Sequence, residues 1–258
     1  KECMWTCRAC GVQSRPECAR AKAAKPAAAR PGDVKAVFEQ HVLKFAGAIA
    51  LAADPWVVVI DDFITNEEAD ALVEAAGKAN SYKWERSLAG DGETPVRTSS
   101  HFWCRDSCTT DPTVVAVQER VAALTGVPAS HGEPMQILRY QEGQIFNAHH
   151  DQNSPRASPW GPRLFTAYMY LSDVAEGGET NWPRLTGVTV KPKKGRLLLW
   201  SNTEDRDPFN LDVLSEHESK PPLHGSEKLG AIFWIHMWPF SGPAQRGCDN
   251  DAYLENWS

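Results

Sequence analysis

The chain has 258 residues, 42% of them hydrophobic, enough to bury a substantial core without depending on metals or disulfides. A formal net charge of −6 argues against nucleic acid or an anionic membrane as partner, because both need a concentrated basic surface. The apolar stretch AGAIALAA at 46–53 is far too short to span a bilayer, so no membrane span is expected.

Cys3, Cys7, Cys10 and Cys18 crowd the start, Cys104 and Cys108 form a second close pair, and Cys248 stands near the end. This clustering reads as disulfides in an oxidising compartment, with a zinc knuckle at the front as the competing reading. The chain opens on Lys1, so a leader or a longer amino-terminal region is expected ahead of it, and the compartment is read from the cysteines as the secretory pathway, endoplasmic reticulum or Golgi lumen. The sequon Asn256-Trp257-Ser258 fits that compartment. Residues 1–18 read as a fragment of a small disulfide module. Residues 19–33, rich in alanine, proline and lysine without apolar period, read as a linker. The main domain is set at 34–245 and a tail at 246–258.

Helical spacing over 33–49 places Val34, Val37, Phe38, Val42 and Phe45 on one stripe. WVVVIDDF at 56–63 is compact and β-branched, a strand. A helix follows, opened by Thr65 and Glu68 at capping-box spacing. Another opens at Asp111-Pro112 with Val114, Val117, Val121 and Leu124 on its buried side. From Pro134 onward short apolar runs, MQILRY, RLFTAYMYLSDV, GVTVKP, RLLLWSN and LGAIFWIHMWPF, alternate with glycine, proline and asparagine. Helices first and many short strands afterwards predict an α+β domain built on a β-sandwich or barrel.

NAHHDQN at 147–153 carries the chemistry. On a strand, residues two apart share a face, so His149 and Asp151 look the same way and His150 looks away. A mononuclear iron(II) oxygenase needs two histidines and one carboxylate on one side of the metal. His149 and Asp151 supply two ligands, and His217, His224 and His236 are all open as the third.

DDFITNEEADALVEAA, VRTSSHFW, ILRYQEGQIFNAHHD, RLFTAYMYLSDVAEGGETNWP, VKPKKGRLLLW and SEHESKPPLHGSEKLGAIFWIH occur in the order seen in prolyl 4-hydroxylases, and the chain resembles that family from about 54 to 240. The resemblance implies a double-stranded β-helix, or jelly roll, with flanking amino-terminal helices, and iron(II) and 2-oxoglutarate bound between its sheets, with ascorbate as a further requirement. It implies oxidative decarboxylation of 2-oxoglutarate to succinate and carbon dioxide, coupled to C4 hydroxylation of proline in proline-rich polypeptides. The family's last motif aligns on His217, four residues before Pro221, and on Lys228, six before Trp234, with Gly-Ser-Glu-Lys where the family has Gly-x-Lys. So the resemblance makes His217 the third ligand and Lys228 the 2-oxoglutarate cation.

A buried carboxylate needs a cation and hydroxyl donors. Tyr140 and Thr180 are the expected hydroxyl partners of Lys228. Arg163 and Trp234 are the expected substrate contacts. The segments 86–100 and 201–212 look like lids over a peptide, and Trp160, Trp182, Trp200 and Trp234 like an aromatic groove. Rival readings are a dioxygenase on the same scaffold acting on another side chain such as lysine, and an inactive module that only binds proline-rich chains.

Overall fold

The computed structural model describes Cys18 and residues 25–88, 95–154, 156 and 158–248. Helix α1 (Asp33–Gln40) leads into β1 (Ala48–Ala53) and β2 (Trp56–Ile60). The stripe expected over 33–49 therefore breaks at Gln40. Val42–Lys44 forms a single 3-10 turn, and the alanine-rich stretch after it gains more by pairing along β2 than by continuing the helix. Helix α2 (Asn66–Ala79) is closed by the expected capping box. Thr65 accepts from the Glu68 N–H at 3.1 Å, and Glu68 accepts from the Thr65 N–H at 2.8 Å.

Strands β3 (Glu85–Arg86) and β4 (Ser100–Trp103) precede α3 (Pro112–Thr125), whose N-cap Asp111 accepts from the N–H groups of Thr113 and Val114. The remaining elements are β5 (Gln136–Tyr140), β6 (Phe146–His149), β7 (Arg163–Tyr170), β8 (Thr180–Asn181), β9 (Thr189–Val190), β10 (Leu197–Ser201), β11 (His217–Ser219), β12 (Lys228–His236) and α4 (Ser241–Gln245). No helix among the described residues is long and apolar enough to cross a membrane.

The described residues form two antiparallel sheets, an eight-stranded one in the order β1-β2-β10-β7-β12-β5-β4-β3 and a four-stranded one in the order β6-β11-β8-β9. From β5 onward the chain passes back and forth between them, which is the winding of a jelly roll. The large sheet is covered on both faces. Ile137, Phe165, Ala167, Met169, Leu197, Leu199, Ala231 and Phe233 pack with α1, α2 and α3, whereas Leu138, Tyr140, Tyr168, Tyr170, Leu198, Trp200, Ile232 and Trp234 face the small sheet. Burial on both faces explains why these strands read as near-continuous apolar runs. The second face carries Tyr140, Tyr168, Tyr170, Trp200 and Trp234, and the cavity opens there.

The segment expected as a linker is partly built into the domain. Ala28 is buried in the core, the Ala27 N–H donates to the Met237 carbonyl at 2.7 Å, and Cys18 is bonded to Cys248. Alanines without an apolar period give no amphipathic signal, so this packing was not readable from the sequence. Cys104 and Cys108 form a second disulfide. Cys3, Cys7 and Cys10 lie outside the described residues, as do residues 19–24 of the expected linker and 249–258 of the expected tail.

Candidate active site

His149 ends β6 and pairs directly with His217, the first residue of β11, so strand register brings two imidazoles together across 68 residues of sequence. Asp151 follows two residues on, beyond the strand. Its Oδ1 lies 3.6 Å from His149 Nε2 and 3.7 Å from His217 Nε2, and one ligand atom from each of the three lies within 4.8 Å of the others. Each imidazole is oriented from behind: His149 Nδ1 is 2.8 Å from the Asn147 carbonyl and His217 Nδ1 is 2.9 Å from the Ser215 carbonyl. A carbonyl only accepts, so the proton sits on Nδ1 and each Nε2 presents its lone pair to the shared point. This is a facial set of two nitrogens and one oxygen, suited to a divalent metal with open positions.

Electrostatics fit a cation. Burial pushes the His217 imidazole down to about 4, against the pull of Asp151, so this ligand is neutral at ordinary pH. Burial pushes the Asp151 carboxyl up, but the neighbouring His217 and His149 outweigh it and hold the group well below the usual carboxylate range. Its Oδ2 accepts from Thr166 Oγ1 at 2.8 Å, and Thr166 Oγ1 in turn accepts from Asn202 Nδ2 at 2.9 Å, which leaves Oδ1 turned toward the histidines. Phe146 stacks on His149 at 3.4 Å between centroids, and Trp200 meets His217 edge-on at 4.7 Å.

Lys228 opens β12 opposite Tyr140 of β5 and is fully buried. The extra residue of Gly-Ser-Glu-Lys is taken up in the turn before the strand, where His224 and Gly225 hold φ of 53° and 70°. The Lys228 ammonium donates to Ser219 Oγ at 2.8 Å and lies 5.1, 5.4 and 5.6 Å from the ring centroids of Tyr140, Tyr168 and Tyr170. It has no ion pair among the described residues. Burial pushes it down to about 7, with Glu179 pulling the other way. A buried ammonium with donors to spare fits an anion. Ser219 stands two residues beyond His217 on β11, about 6–7 Å of strand rise. The cation and the histidine-aspartate cluster are thus separated by roughly the length of a five-carbon keto diacid.

His149, Asp151, His217, Lys228, Tyr140, Thr180 and Trp234 all line this one cavity. Thr180 is bound to the Tyr170 hydroxyl at 2.7 Å. Arg163 does not line it. Its Nε donates to Glu133 at 2.5 Å and its Nη1 to the Asp151 carbonyl at 3.1 Å, while its guanidinium lies 4.2 Å over the Trp234 ring. Glu133 also meets His236 Nε2 at 2.7 Å. Burial pushes the Glu133 carboxyl up, and Arg163 and His236 outweigh it, holding it at about 2. The residue expected to face substrate is thus engaged behind the aspartate, inside a buried charge network.

His150 sits aside, 4.0 Å from Glu216, and His224 is on the surface 3.1 Å from Glu176. Trp182 and Trp200 pack around His217, but Trp160 lies apart against Phe240. Of 86–100, residues 89–94 lie outside the described residues, and Arg97 bridges to Phe146 at the cavity. The segment 201–212 is fastened to the start of α1, where Asp205 accepts from the backbone N–H groups of Gly32 and Lys35. Thr166, Asn202, Glu133 and Tyr168 were not singled out by sequence. The available signal was Thr166, Tyr168 and Tyr170 at every second place of an apolar strand.

Residues 135–236 match the model of the 2OG-Fe(II) oxygenase superfamily. Probable prolyl 4-hydroxylase 7 of Arabidopsis thaliana is 34% identical over 236 residues, covering 81% of this chain and 72% of that protein. Prolyl 4-hydroxylase 2 of the same plant is 32% identical over 221 residues, covering 74% and 70%. Among solved structures, the 2OG complex of the viral collagen prolyl hydroxylase from Paramecium Bursaria Chlorella virus-1 superposes with a TM-score of 0.56 at 24% identity, covering 72% of this chain and 98% of that one. A prolyl hydroxylase from Trichoplax adhaerens, in complex with a hypoxia inducible factor peptide fragment, gives 0.51 at 16% identity, covering 82% and 91%.

Proposed function

The chain belongs to the prolyl 4-hydroxylase family of 2OG-Fe(II) oxygenases, and from that premise we propose that it hydroxylates peptidyl proline at C4 in proline-rich polypeptides. The observation that carries this reading is a single cavity lined by both the His149-Asp151-His217 cluster and the buried Lys228. In it, His149, Asp151 and His217 would hold iron(II), and Lys228 with Tyr140 and Thr180 would receive the far carboxylate of 2-oxoglutarate. Iron and 2-oxoglutarate, when bound, supply the oxidation: decarboxylation to succinate and carbon dioxide is coupled to insertion of one oxygen atom from dioxygen into the C4–H bond. The protein's share is to orient ligands and exclude water. Trp200 and Trp182 wall off His217, and Arg163 steadies both the Asp151 backbone and the Trp234 ring. Trp234 and Arg97, which both line the cavity, offer an apolar and a cationic surface to an extended peptide.

Thr166 is the inner support of the metal site. Replacing it with valine removes the donor to Asp151 Oδ2 and strands Asn202, so iron(II) affinity is expected to fall about 10- to 100-fold. Anaerobic titration checks this, with unchanged affinity counting against the role.

The two disulfides among the described residues favour an oxidising compartment, the secretory lumen, where proline-rich chains are made. Such chains are extended before docking and lose little entropy on binding. Incubated with iron(II), 2-oxoglutarate and a poly-proline or Pro-Ser/Ala-rich peptide, the protein is expected to add one oxygen atom per modified proline and release succinate, with stimulation by ascorbate. Comparison with hydroxyproline standards places the oxygen. A peptide that is neither oxidised nor accelerates decarboxylation, while a lysine-bearing or small-molecule substrate does, would sink the prolyl assignment.

A further inference from the structure

Tyr168 lies on β7 facing the cavity, paired with Ile232 of β12, and is 5% exposed. Its hydroxyl is buried and has no hydrogen-bond partner among the described residues. The neighbouring Tyr170 hydroxyl, by contrast, is engaged by Thr180 and the Val190 carbonyl. A buried hydroxyl left unmatched costs on the order of 1–3 kcal/mol, so its persistence in a cavity wall asks for a ligand.

The sequence makes room for this hydroxyl. A Cβ at Gly230 would stand 2.1 Å from the Tyr168 oxygen and 2.3 Å from the ring carbon that bears it. Gly230 is the third residue of β12, inside the strand, where glycine weakens it, and its φ is not in the left-handed region that would call for glycine. Space for Tyr168 is the remaining reason for it. Two residues before Gly230, on the same face, stands Lys228, whose ammonium is 5.4 Å from the Tyr168 ring centroid.

The other unpartnered buried polar atoms on cavity-lining residues are Arg97 Nε, Trp200 Nε1 and Trp234 Nε1. All three are donors, and the Tyr168 hydroxyl can donate. A cavity whose unmatched groups all donate, beside a buried ammonium, is shaped for an anion.

We propose that Tyr168 is a 2-oxoglutarate-binding residue, its hydroxyl donating to the carboxylate that Lys228 holds, in the space that Gly230 leaves open. This rests on the functional reading above and adds a donor to it. Burial pushes the phenol well above its ordinary range, so it stays protonated and donates across the working pH range.

Equilibrium binding under anaerobic iron(II) tests it, with 2-oxoglutarate and with pyruvate, which has the same chelating end but no far carboxylate. Tyr168→Phe keeps the ring and is expected to weaken 2-oxoglutarate about ten- to hundredfold, the range for a hydrogen bond to a charged group, while iron(II) and pyruvate bind as in the wild type. Gly230→Ala, which drives a methyl group into the hydroxyl, is expected to lose 2-oxoglutarate affinity similarly. Wild-type 2-oxoglutarate affinity in Tyr168→Phe, or an equal loss for pyruvate, overturns the inference alone. A wild-type protein that binds no 2-oxoglutarate overturns the functional reading and this inference with it.

Discussion

His217→Ala is expected to abolish iron(II) binding, whereas His150→Ala and His224→Ala bind iron(II) as the wild type does. Spacing alone left His217, His224 and His236 open as the third ligand, but the fold separates them, with His236 held 2.7 Å from Glu133. His217 presents Nε2 3.7 Å from Asp151 Oδ1, is neutral through burial, and is held by the Ser215 carbonyl behind it. His150 turns to the other side of the chain, toward Ser215 and Glu216, and His224 is 75% exposed beside Glu176. Losing a supporting hydrogen bond costs a metal site about 10- to 100-fold, and losing one of three protein ligands must cost more. The vacated space is enclosed by Trp182 and Trp200, neither of which carries a ligand atom. Anaerobic iron(II) titration of the three variants decides the matter. Retained binding in His217→Ala with loss in His224→Ala would overturn the ligand assignment.

The contrast shows which parts of this protein local sequence can reveal. His149 and Asp151 are two residues apart, and strand parity alone points them the same way. The third ligand depends on pairing β6 with β11, and pairing register is a long-range property that spacing does not encode. Family order supplied it instead. Arg163 illustrates the same limit from the other side. A positive residue at a strand start reads as solvent- or substrate-facing, but its acidic partner Glu133 lies thirty positions earlier and is brought beside it only because both flank β12, Arg163 opposite His236 and the Glu133 N–H donating to the Trp234 carbonyl.

Elements divided along similar lines. The large sheet was legible because burial on both faces leaves unbroken apolar runs such as RLLLW and GAIFWI. The capping box and the Asp111-Pro112 start were legible because they are local chemistry. The small sheet was harder, since β8 and β11 are short and mostly polar, Thr180–Asn181 and His217–Ser219, and carry ligand-facing residues where apolar alternation would be expected. The helix stripe over 33–49 ran too far because alanine and isoleucine at 48–53 satisfy either period, and only the presence of β2 alongside decides between them.

Lys228→Met is expected to separate function from stability, weakening 2-oxoglutarate binding by orders of magnitude while making the ligand-free fold more stable. Removing one partner of a buried ion pair costs on the order of 3–5 kcal/mol, which corresponds to a loss of roughly 10²- to 10³-fold or more in affinity. Iron(II) affinity should be nearly intact, because Lys228 meets the small sheet at Ser219 and not at a metal ligand. The stability gain follows from the same burial. In the folded protein Lys228 is pushed down to about 7 from an ordinary value of 10.5. Between those values the unfolded chain holds the proton more firmly, so this group's penalty is absent above pH 10.5, grows as pH falls, and is complete below about 7. A shift of that size is worth on the order of 5 kcal/mol, so denaturant midpoints at neutral pH should rise in the methionine variant. Binding must then carry a proton signature. The anion favours the charged lysine, so above pH 7 the wild type takes up a proton with 2-oxoglutarate and its affinity declines as pH rises, whereas at pH 6 the ammonium is already charged and uptake is near zero. Calorimetry in buffers of different ionisation enthalpy measures this directly. Uptake approaching one proton at pH 8.5 in the wild type, and none in Lys228→Met, is the expected pattern. No uptake in either protein would assign the carboxylate to a cation that is charged throughout, with Arg97 the next to examine because it too lines the cavity, whereas the same uptake in both would assign the proton to a group other than Lys228.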